Sequence, residues 1–142
     1  MSEYNGVMAI VFKRGDPDLF VLIHNIRTGN ITVVAGGVED HDESTLHAFH
    51  REMEEESGLK PEDYKVIETP FVNDFICEAK KTERAGQRIL QKVYIAETEK
   101  TEIISQDPDV EFIGWFTAEQ ALEKMTFDDN KEIFKKALKM IS

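Results

Sequence analysis

From Gly36 to Leu59 the chain reads GGVEDHDESTLHAFHREMEEESGL, a glycine pair followed by an acidic stretch in which Glu52, Glu55 and Glu56 recur at helical spacing. On a helical wheel with Glu52 at zero, Glu56 falls near roughly 40° and Glu55 near roughly 300°, so the three carboxylates point one way. Thr45 and Ala48 share that arc and are small, leaving room for ions and water. Like charges one turn apart cost an isolated helix a few tenths of a kcal/mol per pair, so a clustered face is slightly unfavourable until it is neutralised. Hard oxygen donors of this kind suit Mg²⁺ or Mn²⁺, ions that keep several waters and share the oxygens of a phosphate. Gly36 and Gly37 let backbone approach a metal or a phosphate closely. Together these residues could hold a divalent cation against a pyrophosphate. An REMEEE run by itself reads as a solvated helical face, and solvation does not account for Gly37, Glu43, Arg51 and Gly58.

The surrounding elements must position that stretch. Val7 to Phe12 and Phe20 to His24 are apolar runs separated by the turn formers Gly15, Asp16 and Pro17, and read as a hairpin. Thr32 to Ala35 is a third strand leading into the glycine pair. A helix is expected from an Asp42 N-cap, with Glu43 favourable at the positive end of its dipole. It ends at Ser57 and Gly58, with Pro61 beyond. Leu46, Phe49 and Met53 should pack it onto the sheet. Tyr64 to Cys77 and Ile89 to Glu97 read as extended, joined through Glu78 to Arg88 as a loop or hairpin. Phe112 to Phe116 is another strand, introduced by a turn at Gln106 to Asp109. Thr117 caps a helix from Ala118 to Lys124, and Asp128 or Asp129 caps a last helix whose Ile133, Phe134, Ala137, Leu138 and Ile141 recur at helical spacing. A mixed β-sheet between helices follows, in one domain spanning residues 1–142.

At 142 residues the chain is long enough for a single core. Its apolar and charged fractions, 41% and 32%, are those of a soluble globular protein, and no run approaches a membrane span. The N-terminal MSEYNGVMAIVFKRG reads as a strand rather than an export signal. Cys77 is alone, which excludes an internal disulfide and makes a reducing cytoplasm the expected location. A formal charge of −11 argues against a nucleic-acid polymer as partner, whereas a small phosphorylated ligand is tolerable once bound cations invert the local field. His24, His41, His47 and His50 show no zinc-like spacing, and His47 and His50 are expected on the exposed side of the helix.

Gly37 to Leu59 fits, position for position, the 23-residue pattern G-x5-E-x7-R-E-U-x-E-E-x-G-U, with U a bulky aliphatic residue, and the chain therefore resembles a Nudix hydrolase. The resemblance continues in Phe112 to Ala121, which looks like the W-x-x-x-E-x-A region of these proteins, and in the terminal TFDDNKEIFKKALKMI. It implies an α/β class, the Nudix α/β/α sandwich. It also implies metal-dependent hydrolysis of a phosphoanhydride bond with Mg²⁺ or Mn²⁺, at Glu52, Glu55 and Glu56 and the Gly37 carbonyl. Arg51 would hold the cluster in register, Glu43 would orient the loop or bind metal through water, and Gly58 would close the helix. The general base would be Glu55 or Glu56, or lie outside the box at Asp109, where the plain alternative is a turn over Asp107 to Asp109.

Arg27, Lys80, Lys81, Arg84 and Arg88 are candidate phosphate contacts, each with the alternative of a surface charge, and Phe75 is a candidate base-stacking residue with the alternative of a buried strand position. The resemblance points to a small-molecule nucleotide: a nucleoside triphosphate or a dinucleoside polyphosphate. ADP-ribose, a nucleotide sugar or an RNA 5′ end is the alternative, as is a non-catalytic nucleotide-binding module. Where the dinucleoside polyphosphate hydrolase and nucleotide pyrophosphatase branches usually carry Pro and Lys before the box glycine this chain has Val34, Ala35 and Gly36; where a Gly commonly precedes the box Glu it has Asp42; and Asp74 stands where ADP-ribose hydrolases typically have Pro. The protein is expected to be a monomer or a homodimer.

Overall fold

A computed structural model describes residues 4–77 and 85–141. Lys80, Lys81 and Arg84 lie outside them. The elements follow in the order β1 (Gly6–Lys13), β2 (Leu19–Asn25), β3 (Ile31–Thr32), β4 (Val34–Gly37), α1 (Thr45–Ser57), β5 (Tyr64–Ile76), β6 (Arg88–Thr98), β7 (Val110–Phe116), α2 (Ala118–Lys124) and α3 (Asp128–Ile141), with a 3-10 turn at Pro61–Asp63.

The seven strands form one mixed sheet in the order β3-β2-β1-β6-β5, with β4 on β1 and β7 on β2. Only β1 and β6 run parallel, from Gly6↔Gln91 to Phe12↔Glu97. β1 and β2 pair briefly, at Phe12↔Phe20 and Lys13↔Leu19. Beyond that point β4 takes the edge of β1 at Gly6 to Ala9, and β3 takes the edge of β2 at Ile23 and His24. The splay delivers Gly36 and Gly37 to the middle of the sheet.

Strict alternation along β1 explains the two layers of core. Val7, Ala9 and Val11 face α1 with Phe49 and Met53. Met8, Ile10 and Phe12 face the other way, against Ala121 and Met125 and the Ile133, Phe134, Ala137 and Ile141 stripe of α3. The mixed sheet between helices is as expected. Three local expectations are corrected. Leu46 is exposed, and Ala48, expected beside the carboxylates, is fully buried beneath α1. α3 starts at Asp128 itself, so Asp128 and Asp129 occupy its first turn, where their charge suits the dipole, instead of capping it. His50 is half-buried, stacked on Tyr64 and hydrogen-bonded to its hydroxyl, and burial lowers its pKa.

Candidate active site

Ser44, not Asp42, caps α1: its backbone is extended and its Oγ accepts the His47 N–H at 3.1 Å. At the other end Gly58, at φ 75°, returns its N–H to the Glu54 carbonyl. The open Glu55 carbonyl accepts the N–H groups of Gln106 and Asp107 at 2.7 and 3.0 Å, which brings the loop before β7 against the carboxylate helix. The core face of α1 comprises Ala48, Phe49, Glu52, Met53 and Glu56, so two of the three acids lie on its buried side. Each of those two is only 7% exposed.

What they meet there is β4. Glu56 Oε1 accepts the Ala35 N–H at 3.0 Å. The Glu52 carboxylate rests on Gly36, where an added Cβ would stand 2.1 Å from Glu52 Cδ; glycine permits this contact, and its dihedral angle does not demand one. Arg51 ties the group together. Its Nε and Nη2 donate to the two oxygens of Asp42 at 3.0 and 2.8 Å, Nη2 donates also to the Gly37 carbonyl at 2.8 Å, and Nη1 donates to Glu52 Oε1 at 2.8 Å and to Glu55 at 3.5 Å.

Electrostatics follow from that placement. Burial pushes Glu52 up to about 7, with Arg51 opposing and Glu55 adding to the shift. Burial first, then the Glu52 charge, raises Glu56 well above the carboxylate range, and Asp107 contributes in the same direction. Asp42 is held down at about 2 by the hydrogen bonds from Arg51. Two buried acids beside a glycine bend, both with pKa values raised by burial, form a site short of positive charge.

Other expected site residues are more dispersed. Glu43 is exposed; its N–H donates to His47 Nδ1, and among the described residues its carboxylate has no hydrogen bond or ion pair. Asp109 sits in a turn, its N–H on Asp107 Oδ1 at 2.9 Å and its carboxylate 3.8 Å from Arg27. Arg88 is engaged by Asp74 at 2.9 and 2.6 Å across the β5–β6 pair.

Phe75 lines a cleft of about 610 Å³ that runs from Ala35, Gly36, Gly37 and Glu56 across the splayed strands to the start of α3. Ile76, Ile89 and Phe127 give it apolar walls, while Asn25, Gln91 and Asn130 bring amides. Gln91 accepts from Asn73 Nδ2 at 3.0 Å. Asn130 is 8% exposed, and among the described residues its side-chain amide has no hydrogen-bond partner. Sequence reasoning passed over Asp42 as the partner of Arg51 and over Gln91 and Asn130. Asp42 stood as a cap and as a departure from the family's Gly, and the two amides come from β6 and α3, joined to the site by tertiary contact alone.

A family model described as the NUDIX domain matches residues 4–137. The chain belongs to the Nudix family. It is a Nudix hydrolase, of a family that acts on nucleoside diphosphate-linked substrates. No curated protein matches the chain significantly. Among solved structures it is similar to the Escherichia coli dihydroneopterin triphosphate pyrophosphohydrolase, with 15% identity over 95% of this chain and 97% of that one and a TM-score of 0.76. It is similar to the Caenorhabditis elegans Ap4A hydrolase at 16% identity, 96% and 97% coverage and a TM-score of 0.74. The NUDIX domain of Shewanella oneidensis NrtR complexed with ADP ribose matches at 15% identity, 100% and 90% coverage and a TM-score of 0.69. At such identities these likenesses concern the shared Nudix fold.

Nudix enzymes generally use divalent metal ions. Among the described residues no group of three or more His, Cys, Asp or Glu side chains is arranged to hold an ion as it stands. The chemistry of the donors nevertheless fits one. Glu52 and Glu56 are buried hard-oxygen donors; Arg51 only partly offsets the Glu52 charge, Glu52 rests on the Gly36 cradle that a Cβ would fill, and Glu56 meets the Ala35 N–H beside it. Glu55, with its side chain 47% exposed and reached only by long contacts from Arg51, is the least restrained of the three.

Proposed function

We propose that this Nudix enzyme hydrolyses a phosphoanhydride bond of a nucleoside triphosphate or dinucleoside polyphosphate, with Mg²⁺ or Mn²⁺ held by Glu52, Glu55 and Glu56. The supporting observation is the continuity of one cleft from the Gly36, Gly37 and Glu56 end to the apolar and amide-bearing end at Phe75, Phe127 and Asn130. A phosphate chain fits the first end and a nucleobase the second.

When bound, the divalent ion would withdraw charge from the bridging phosphate oxygens and lower the pKa of the attacking water. The chain's own residues do the rest. Glu52 and Glu56 anchor from the buried side. Arg51 keeps Glu52 beside the Gly37 carbonyl, which retains a lone pair while accepting one hydrogen bond. Glu55, the exposed member, is placed to take the proton of the attacking water. The Asp109 carboxylate stands 3.8 Å from the Arg27 guanidinium, which favours a base inside the box. Phe75 offers its ring to the base. One domain would carry the activity, acting on a small molecule. Among the described residues no helix is long and apolar enough to cross a membrane.

Nucleoside triphosphates, dinucleoside polyphosphates, ADP-ribose, nucleotide sugars and 5′-triphosphate RNA, each incubated with Mg²⁺ and resolved by chromatography, test the assignment. Turnover is expected on one of the first two classes and its loss in Glu55→Gln and Glu56→Gln. Full activity in both variants overturns the metal assignment.

A further inference from the structure

We propose that Asp42 is the positioning residue of the carboxylate cluster, fixing Arg51 so that one guanidinium ties the Gly37 carbonyl to Glu52. The inference rests on the reading of Glu52, Glu55 and Glu56 as a cation site.

Its basis is the completeness of the arrangement around Arg51. Three pieces of chain meet at the guanidinium: the end of β4 through Gly37, the loop through Asp42, and α1 through Glu52 and Glu55. Nε and Nη2 make two parallel bonds to Asp42, the fork-to-fork geometry that fixes the plane of an arginine as well as its place. With the plane fixed, the remaining N–H of Nη2 reaches Gly37, and Nη1 reaches Glu52. The Asp42 side chain is itself fully buried, and its Oδ2 accepts the Glu39 N–H at 2.8 Å, so it cannot turn away. Glu43, one residue on, is exposed and makes no such bond. The side chain that orients the loop is therefore the shorter, buried neighbour, whose carboxylate a glycine at this position would lack.

Partners that orient a metal's ligands typically change metal affinity or activity by about 10–100-fold when mutated. The test is Mn²⁺ uptake without substrate, read from the paramagnetic resonance signal of free ion, for wild type, Asp42→Asn, Arg51→Gln and the Asp42→Asn/Arg51→Gln double variant. Asp40→Asn, which removes an exposed charge from the same loop, controls for net field. Asp42→Asn is expected to weaken Mn²⁺ binding by about 10-fold or more while Asp40→Asn stays within about twofold. The double variant, which removes both members of the Asp42–Arg51 pair together and so keeps the test open if Asp42→Asn fails to fold, is expected to match Arg51→Gln. Wild-type uptake with unchanged affinity in Asp42→Asn overturns the role of Asp42 and leaves the cation site standing. A further tenfold loss in the double variant shows that Asp42 does not act through Arg51 and overturns it too. A wild type that takes up no Mn²⁺ overturns the cation-site reading, and this inference with it.

Discussion

Glu52 and Glu56 are buried where carboxylates destabilise a fold unless something compensates their charge, and that tension makes them testable one at a time. Glu52 titrates at about 7 in the folded chain against an ordinary 4.5. Between those values the unfolded chain releases a proton that the folded chain keeps, so without metal the protein loses stability as pH rises through this window. For Glu52 the loss amounts to on the order of 3 kcal/mol by pH 7. Denaturant titrations in chelator from pH 4.5 to 8 should show the decline, and Glu52→Gln should lessen it while Glu56 keeps its own share; an unchanged slope in the variant would remove Glu52 as a cause. Gly36→Ala tests the cradle. Its Cβ would meet the movable end of Glu52, not backbone, so the change should lower metal affinity by tenfold or more with little shift in Tm. A large fall in Tm with metal affinity intact would contradict it.

α1 shows what sequence reveals about an element and what it withholds. The glutamate spacing gave the helix, and Gly58 gave its end, because a left-handed closing residue has a local signature. Gly58→Ala combines the positive φ with a Cβ placed 2.5 Å from the Ile104 carbonyl oxygen, and should destabilise by roughly 2 kcal/mol or more in denaturant melts. A change below about 0.5 kcal/mol would show that the loop after β6 yields freely. The start of the helix was less legible. Asp42 and Ser44 are both good caps, and only the pull of Arg51, nine residues away in sequence, decides between them. The packing face was also mistaken at one position: Leu46 is the more apolar choice, yet Ala48 lies against the sheet because close helix–sheet approach favours the smaller side chain. Periodicity locates a helix to within a turn of rotation; the tertiary contact sets the remainder.

At the scale of the molecule, the box residues were legible because they are contiguous, whereas the cleft combines β2, β4, β5, β6 and α3 and has no contiguous signature. Phe75 was found through resemblance, and Asn130 only through the fold. Among the described residues the Asn130 amide has no hydrogen-bond partner, and at the cleft a bound base would replace solvent as its partner. Asn130→Leu should raise KM about tenfold, equivalent to about 1.4 kcal/mol, with kcat and Tm little changed. An unaltered KM would place the base elsewhere. On the proposed function, the net charge of −11 leaves a phosphate-binding end dependent on cations for its affinity, and local neutralisation at Glu52 and Glu56 is the condition for that binding. Calorimetric titration of Mn²⁺ at pH 6.5 in two buffers of different ionisation enthalpy tests that condition most directly. Binding should release on the order of one proton per ion as the buried acids ionise, and Glu56→Gln should suppress both binding and release. Proton-neutral binding that survives Glu56→Gln would contradict the account.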